Sequence, residues 1–220
     1  MPPDQPVEPG PPLVLASRSP RRRCLLEQAG LGERLTVIDP PYDDPATPQP
    51  EADDDAASFT KFTALRKAHS VQALRTVRNA VILGADTVCV DVNGKWLGTP
   101  ENVEALRSML QSFVNASHNV VTAVGLLLVD AHGEVTEQTA WSDAATVSWG
   151  PVADVELQAY AQTNAWRGKA GGYNLDDRLA AGWPIRVQGD PTTVTGLPMD
   201  QLVSVLAARG IVKADAEASP

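Results

Sequence analysis

Four arginines stand at positions 18 and 21–23, immediately after a short apolar run at 13–16. Among them lie Ser19 and Pro20, which suit the N-cap and the first position of a helix. A helix N-terminus already presents free N–H groups and the positive end of a dipole, so cations are unfavourable there. Backbone and side chains at this turn would instead favour a bound anion. The pattern predicts a strand, a tight turn and a helix that together hold a small, multiply charged anion.

A carboxylate interrupts the most apolar stretch of the chain, VILGADTVCV at 81–90. Burying a lone Asp86 would cost several kcal/mol, so it must be paired, bind a metal or lie at the edge of a cleft. Local N–H groups could satisfy it, because buried polar groups are usually hydrogen-bonded. The alternative is a catalytic or metal-holding carboxylate at a point where residues 84–87 close or interrupt the strand.

Composition limits the possible functions. The 220 residues carry a net charge of −9, which argues against general affinity for nucleic acid or an anionic membrane. A hydrophobic content of 43% allows a proper core. The only cysteines, Cys24 and Cys89, lie in apolar surroundings and are expected to be buried, inert thiols. With no signal peptide and no stretch long enough to span a bilayer, we expect a cytoplasmic protein.

Strands and helices alternate along the chain, which predicts an α/β fold. Residues 56–76 form a helix with an apolar stripe of Phe59, Phe62, Leu65, Ala68 and Val71, and Lys67 lies off that stripe. Strands are predicted at 13–16, 34–39, 79–90, 118–129, 134–149 and 183–187, and further helices begin at Ser19, Thr99, Pro151 and Pro198. The tails at 1–12 and 211–220 are expected to be disordered or loose, which leaves one domain at 13–210.

Several short motifs occur in a fixed order: ASRSPRRRCLL at 16–26, GADT at 84–87, KAGGY at 169–173 and GLP at 196–198. Together they resemble the Maf family of nucleoside triphosphate pyrophosphatases, and most closely its dTTP/UTP branch. The resemblance spans about residues 13–210. It implies a twisted mixed β-sheet with flanking helices, and two lobes around a cleft, as in inosine triphosphate pyrophosphatase. The expected reaction is hydrolysis between the α and β phosphates.

The resemblance also implies roles for individual residues. Asp86 would be the general base and would hold a divalent metal, Mg²⁺ or Mn²⁺. The second metal ligand would come from the acidic loop at 40–55, with Asp43 the nearest counterpart and Asp39 or Asp44 as alternatives. The triphosphate would be held by Ser17, Arg21, Arg22 and Lys67. Arg21 and Thr87 would face the base, near Asp176. Family members often pair as dimers, so the resemblance also implies a homodimer. His118 and Thr122 match a family strand, where a structural role is the simpler interpretation for His118.

The chain departs from the family pattern at several of these positions. Thr99 replaces a lysine, Asp176 replaces a glutamine and Thr193 replaces an asparagine of the family pattern. Ala116 lies in a segment whose sequence differs from that of the family. These departures motivate an alternative, a catalytically impaired nucleotide-binding or regulatory protein on the same scaffold. Either function requires Arg21 and Asp86 to face one another across a single crevice.

Overall fold

Seven strands form one mixed sheet in the computed structural model, which describes residues 10–42 and 55–212. The strands are β1 (Leu13–Ala16), β2 (Leu35–Ile38), β3 (Ala80–Val90), β4 (Trp96–Leu97), β5 (Ser117–Val129), β6 (Val135–Trp149) and β7 (Ile185–Gln188). The helices are α1 (Pro20–Gln28), α2 (Ala56–Gln72), α3 (Val103–Phe113), α4 (Asp154–Gln162), α5 (Leu175–Ala180), α6 (Pro191–Thr195) and α7 (Met199–Ala208). Short 3₁₀ turns lie at Gly32–Arg34 and Ala170–Gly172. The α/β prediction is confirmed.

The strand order is β2-β1-β3-β5-β6-β7, with β1 parallel to β2 and β3, and β5 to β7 running antiparallel to their neighbours. β5 pairs with β3 over the whole length of β3. On the other edge of β3, β1 pairs only as far as Gly84 and β4 pairs from Cys89 onward. The described strands therefore leave Ala85 to Val88 unpaired on that edge. This gap contains Asp86 and Thr87.

Helices cover both faces of the β1–β3–β5 half of the sheet. Leu13 and Leu15 pack on one face with α1 and α7, whereas Val14 and Ala16 pack on the other face with α2. A third cluster, contributed by α3, α4 and α5, covers the half that contains β6 and β7. This alternation along β1 follows from the two-residue period of a strand. The two halves correspond to the predicted lobes.

Two glycines let α2 lie unusually close to the sheet. Gly84 of β3 and Gly125 of β5 are direct cross-strand partners. A Cβ at Gly84 would fall 2.1 Å from the carbonyl oxygen of Ala64, and one at Gly125 would fall 2.7 Å from the amide nitrogen of Leu65. Because the helix packs on bare backbone here, small and polar side chains face the sheet. The buried residues of α2 are Thr60, Thr63, Ala64, Lys67, Ala68 and Val71.

Because of this close packing, the buried face of α2 differs from the predicted one. Phe62, placed in the apolar stripe by its spacing, is 59% exposed, and Lys67, placed off the stripe, is 7% exposed. Other predictions also need correction. The predicted strand at 79–90 is present as β3, but residues 84–87 lie within it and neither close nor interrupt it. Helix α3 begins after an Asn102 cap, not at Thr99, and α4 begins after Ala153, not at Pro151.

The first strand and helix agree with the prediction. Ser19 is the N-cap of α1, its side chain accepts a hydrogen bond from the Arg22 amide, and Pro20 occupies the first turn. The predicted tails fall largely at 1–9 and 213–220, outside the described residues, as does most of the acidic loop.

Candidate active site

The open edge of β3 leads into two adjoining spaces. The inner cavity, about 140 Å³, is lined by buried residues that include Cys89, Val120 and Tyr173, together with Asp86 and Thr87. The outer cleft, about 580 Å³, is lined by fourteen residues, of which six are cations: Arg18, Arg21, Arg22, Lys67, Arg167 and Lys169. Arg21, Arg22, Lys67 and Thr99 line both spaces. The crevice that the sequence required between Arg21 and Asp86 is therefore present.

Asp86 and Lys67 form a buried ion pair at the floor of this site. The Lys67 Nζ donates to Asp86 Oδ1 at 2.7 Å, and the two side chains are 8% and 12% exposed. Asp86 shares a face of β3 with Gly84, the face on which α2 lies, so the close helix packing brings Lys67 within reach. Sequence reasoning selected both residues but gave no indication that they contact each other.

Arg22 ties three separate elements together. Its Nε donates to the Gly196 carbonyl oxygen at 2.9 Å, its Nη1 to Ser17 Oγ at 3.2 Å and its Nη2 to Thr87 Oγ1 at 3.0 Å. Ser17 Oγ also accepts a hydrogen bond from the Ser19 amide at 3.1 Å. The guanidinium thus fixes the end of β1, the open edge of β3 and the end of α6 against one another.

A chain of hydroxyl groups continues from Arg22 through the sheet. Thr122 Oγ1 donates to the Thr193 carbonyl oxygen at 2.7 Å, so its one proton is used there. Thr87 Oγ1 must therefore donate across the 2.9 Å contact to Thr122, while it accepts from Arg22. Thr193 in turn donates to Asp143 at 2.6 Å. Sequence reasoning missed Asp143, because nothing local marks a contact between residues 50 positions apart.

Arg21 lies in a different environment from Arg22. Its Nε is buried and has no hydrogen-bond partner in the described part of the chain. Burial lowers the pKa of the Arg21 guanidinium, and the nearby Asp177 and Asp176 carboxylates only partly oppose this effect. A partly desolvated guanidinium beside an open cavity is a strong donor group for an entering anion or carbonyl.

An aromatic cluster supports the cavity wall formed by residues 170–175. His118 Nε2 lies 2.9 Å from the Tyr173 hydroxyl, and its ring stacks on Phe113 at 3.9 Å. Burial lowers the pKa of His118 to about 4 and raises that of Tyr173 well above its usual value. The Tyr160 hydroxyl donates to the Gly172 carbonyl oxygen at 3.1 Å. His118 is therefore a neutral structural residue, as its sequence context suggested.

Some residues selected from the sequence do not reach the site. Asp176 is exposed on α5 and lines neither space, and Ala116 also lies outside both. Asp39 is paired with Arg18 on the surface at 2.6 Å. Asp43 and Asp44 fall outside the described residues. Cys24, expected to be buried, is exposed, because α1 turns that side to solvent, whereas Cys89 is buried as predicted. Burial raises the pKa of the Cys89 thiol to about 12.

The donor set allows only a limited metal site. Within residues 10–42 and 55–212, His, Cys, Asp and Glu form no group of three that could hold an ion. Asp86 is the carboxylate that lines the inner cavity. Mg²⁺ commonly takes one or two protein carboxylates, with the remaining ligands from substrate phosphates and water. The described residues thus fit a metal that arrives with a phosphorylated ligand, not a preformed protein cage.

The fold and the site together define an α/β protein in which a cation-lined cleft opens onto a buried carboxylate at a gap in the sheet. The chain belongs to the Maf-like protein family, whose sequence model matches residues 12–209. It is 35% identical over 197 residues to the dTTP/UTP pyrophosphatase of Salinibacter ruber, with 90% of each chain covered. It is 36% identical over 193 residues to that of Shouchella clausii, with 88% of this chain and 93% of the relative covered. A third dTTP/UTP pyrophosphatase, from Thermus thermophilus, is 35% identical, with coverages of 91% and 96%.

None of the helices in the described segments is both long and apolar enough to cross a membrane.

Proposed function

We propose that this protein hydrolyses a nucleoside triphosphate, dTTP or UTP, to the monophosphate and pyrophosphate. One observation carries the proposal: Arg21, Lys67 and Asp86 line a single cavity that is continuous with a cationic cleft. Cations that neutralise a polyphosphate and a carboxylate that can accept a proton are the groups such a hydrolysis needs. The printed names of the relatives support the choice of nucleotides. We also assign the protein to the cytoplasm, where this substrate is found.

The residues divide into binding and catalytic groups. Arg21 and the other cleft cations neutralise the triphosphate, and charge moving onto the leaving pyrophosphate strengthens these contacts. Ser17 Oγ already accepts two protein hydrogen bonds, which leaves its proton for a phosphate oxygen. Asp86 accepts a proton from the attacking water, and Lys67, 2.7 Å away, holds the carboxylate in place.

Arg22 and Thr87 serve mainly to position the site. Because the Arg22 guanidinium is engaged by Ser17, Thr87 and Gly196, it fixes the strand ends around the substrate. Thr87, which Arg22 holds in place, in turn positions Thr122 through the hydrogen bond between their hydroxyl groups. Asp176 is too exposed for the base-facing role suggested by the family pattern.

We propose that Asp86 holds a divalent cation, Mg²⁺ or Mn²⁺, together with phosphate oxygens of the substrate, and that Asp43 assists. When bound, the cation neutralises negative charge on the phosphates. Asp86 is the described carboxylate able to serve, because it lines the inner cavity. Titration calorimetry of Mn²⁺ with and without a non-hydrolysable dTTP analogue tests this: tight metal binding should require the nucleotide.

A nucleotide panel tests the activity itself. Purified protein with Mg²⁺ or Mn²⁺ should release pyrophosphate and the monophosphate from dTTP and UTP. Release of inorganic phosphate and a diphosphate, or no turnover of any nucleotide under these conditions, would refute the proposed reaction.

A non-catalytic nucleotide-binding protein is the second candidate, and Thr99 motivates it. Thr99 lines both the inner cavity and the outer cleft and supplies a neutral hydroxyl there. Loss of one charge-stabilising contact can lower a rate by about 10²–10³. This candidate predicts calorimetric binding of dTTP without turnover.

The variant Thr99→Lys separates the two candidates. An added cation at this position should raise kcat/KM for dTTP by about tenfold, because it stabilises charge in the transition state. The matched control is Glu101→Lys, an exposed site that lines neither space, where no increase is expected. Equal increases in kcat/KM in both variants would show that added positive charge acts generally on a chain of net charge −9, and not through the position of Thr99.

A further inference from the structure

Lys67 lies at the boundary between the inner cavity and the outer cleft. It lines both spaces, and its Nζ lies 2.7 Å from Oδ1 of Asp86, which lines the inner cavity. The backbone of α2 around Lys67 is held in place, because this helix packs directly on Gly84 and Gly125. The lysine side chain is a flexible stem of four carbons. Its ammonium group can therefore turn from the carboxylate toward the cleft while the helix stays where it is.

The Lys67 ammonium and a divalent cation compete for the same carboxylate. The ammonium already makes a charge-assisted hydrogen bond to Oδ1 of Asp86. Both side chains are almost fully buried, so dissolved salt screens their charges little. A second cation on this carboxylate would be strongly repelled by the first. Nζ must therefore move away from Asp86 when a metal ion binds there.

A polyphosphate supplies the counter-ion that Lys67 needs in order to leave Asp86. A buried charge that loses its partner is costly, so the ammonium cannot leave the carboxylate for an uncharged environment. The outer cleft, which Lys67 also lines, contains Arg18 and Arg167 and is suited to an anion. A phosphate oxygen that enters this cleft offers Lys67 a negative charge in place of Asp86.

We propose that Lys67 is a placeholder cation, which excludes a divalent metal from Asp86 until a nucleotide binds. The proposal rests on the proposed function for its metal and its nucleotide. It gives Lys67 control over the order of binding, in addition to its contact with phosphate. Metal and nucleotide then bind with positive coupling, and each raises the affinity of the protein for the other by the same factor.

The test measures Mn²⁺ binding by calorimetry in the absence of nucleotide. Lys67→Gln removes the ammonium and keeps a polar side chain, so the dissociation constant for Mn²⁺ should fall by about tenfold or more. Adding Asp86→Asn to this variant should abolish the gain, because the metal gained is held by that carboxylate. Lys67→Arg keeps a cation beside Asp86 and should bind Mn²⁺ as weakly as the unaltered protein does.

The matched control is Arg66→Gln, on the same helix. Arg66 is exposed, and it lines neither the inner cavity nor the outer cleft. This variant removes the same charge from a neighbouring position, so the dissociation constant for Mn²⁺ should not change. An equal gain in Arg66→Gln would show an effect of net charge and would overturn the role of Lys67, as would tighter binding by Lys67→Arg.

Thermal unfolding gives a second measurement. A ligand that binds only the folded state raises Tm, so Mn²⁺ alone should raise the Tm of Lys67→Gln and leave that of the unaltered protein unchanged. If Lys67→Gln does not fold, Lys67→Met removes the ammonium and retains an unbranched apolar stem, and the same two measurements apply to it.

These measurements separate failure of this proposal from failure of the proposed function, because they use neither nucleotide nor turnover. An unchanged dissociation constant for Mn²⁺ in Lys67→Gln overturns the role of Lys67 whether or not the protein is an enzyme. Tight Mn²⁺ binding by Lys67→Gln, together with no turnover of any nucleotide by the unaltered protein, supports the placeholder and overturns only the hydrolysis.

Discussion

Lys67 and Asp86 show how strongly the role of a residue depends on its partner. Taken singly, a lysine on a helix is a surface residue and an aspartate in an apolar strand is an anomaly. Paired at 2.7 Å and almost fully buried, each accounts for the presence of the other. Removing one partner of a buried ion pair is far more damaging than removing both.

A double-mutant cycle tests this dependence through stability. Asp86→Asn and Lys67→Met should each lower the free energy of unfolding by about 3–5 kcal/mol, and the double variant should lose less than their sum. Urea denaturation gives the coupling. The control pair is the surface ion pair of Arg75 and Glu134, whose side chains are 57% and 62% exposed. Its coupling free energy should be less than about 1 kcal/mol. Equal couplings in both pairs would contradict the account.

His118 gives a prediction about pH. Burial lowers its folded-state pKa from 6.5 to about 4, so the unfolded chain binds this proton more readily. The stability contributed by neutral His118 is complete above pH 6.5 and is lost as the pH falls toward 4. Between pH 7 and pH 4.5 the loss should be about 2 kcal/mol. His118→Gln should abolish that part of the pH dependence in urea denaturation. The exposed His132→Gln should retain it, and identical pH profiles for the two variants would contradict the structural role of His118.

At the scale of elements, the pair Gly84 and Gly125 sets the distance between α2 and the sheet, and through it the contact of Lys67 with Asp86. Gly125→Ala would bring a methyl group to 2.7 Å from backbone of α2, which cannot yield as a side chain can. We expect a loss of about 1–3 kcal/mol in stability and at least a tenfold loss in kcat/KM. Gly32→Ala, whose added Cβ comes no closer than 3.4 Å to Glu27, is the control. Full activity in Gly125→Ala would show that the helix distance does not matter.

Some elements could be predicted from local signals and others could not. The strand, cap and proline at the start of α1 are encoded within ten residues, so the prediction is confirmed there. The prediction of which face of α2 is buried is wrong, because the two glycines that change the packing of this helix lie in other elements. The hydroxyl chain from Thr87 to Thr193 was not foreseeable, since its contacts join residues 35 and 71 positions apart. The position of Asp176 was inferred from a family pattern, and the short helix α5 carries it to the surface.

At the scale of the whole molecule, a chain of net charge −9 concentrates cations in one cleft. The gap in the sheet between β1 and β4 makes room for this cleft and for the inner cavity, which the buried Asp86 lines. A locally positive cleft in an acidic protein attracts a small polyanion without general affinity for nucleic acid. The homodimer expected from the family resemblance stays a prediction, and analytical ultracentrifugation is the measurement for it.

The central claim is that Asp86 acts on a triphosphate held by the cleft cations. The most direct measurement is single-turnover hydrolysis of dTTP by Asp86→Asn, alongside calorimetric binding of a non-hydrolysable dTTP analogue in the absence of metal. Both are made under conditions where circular dichroism shows the variant to be folded. The account predicts binding within about tenfold of the unaltered protein and a rate lower by about 10²–10⁴. An unchanged rate of pyrophosphate release would contradict it.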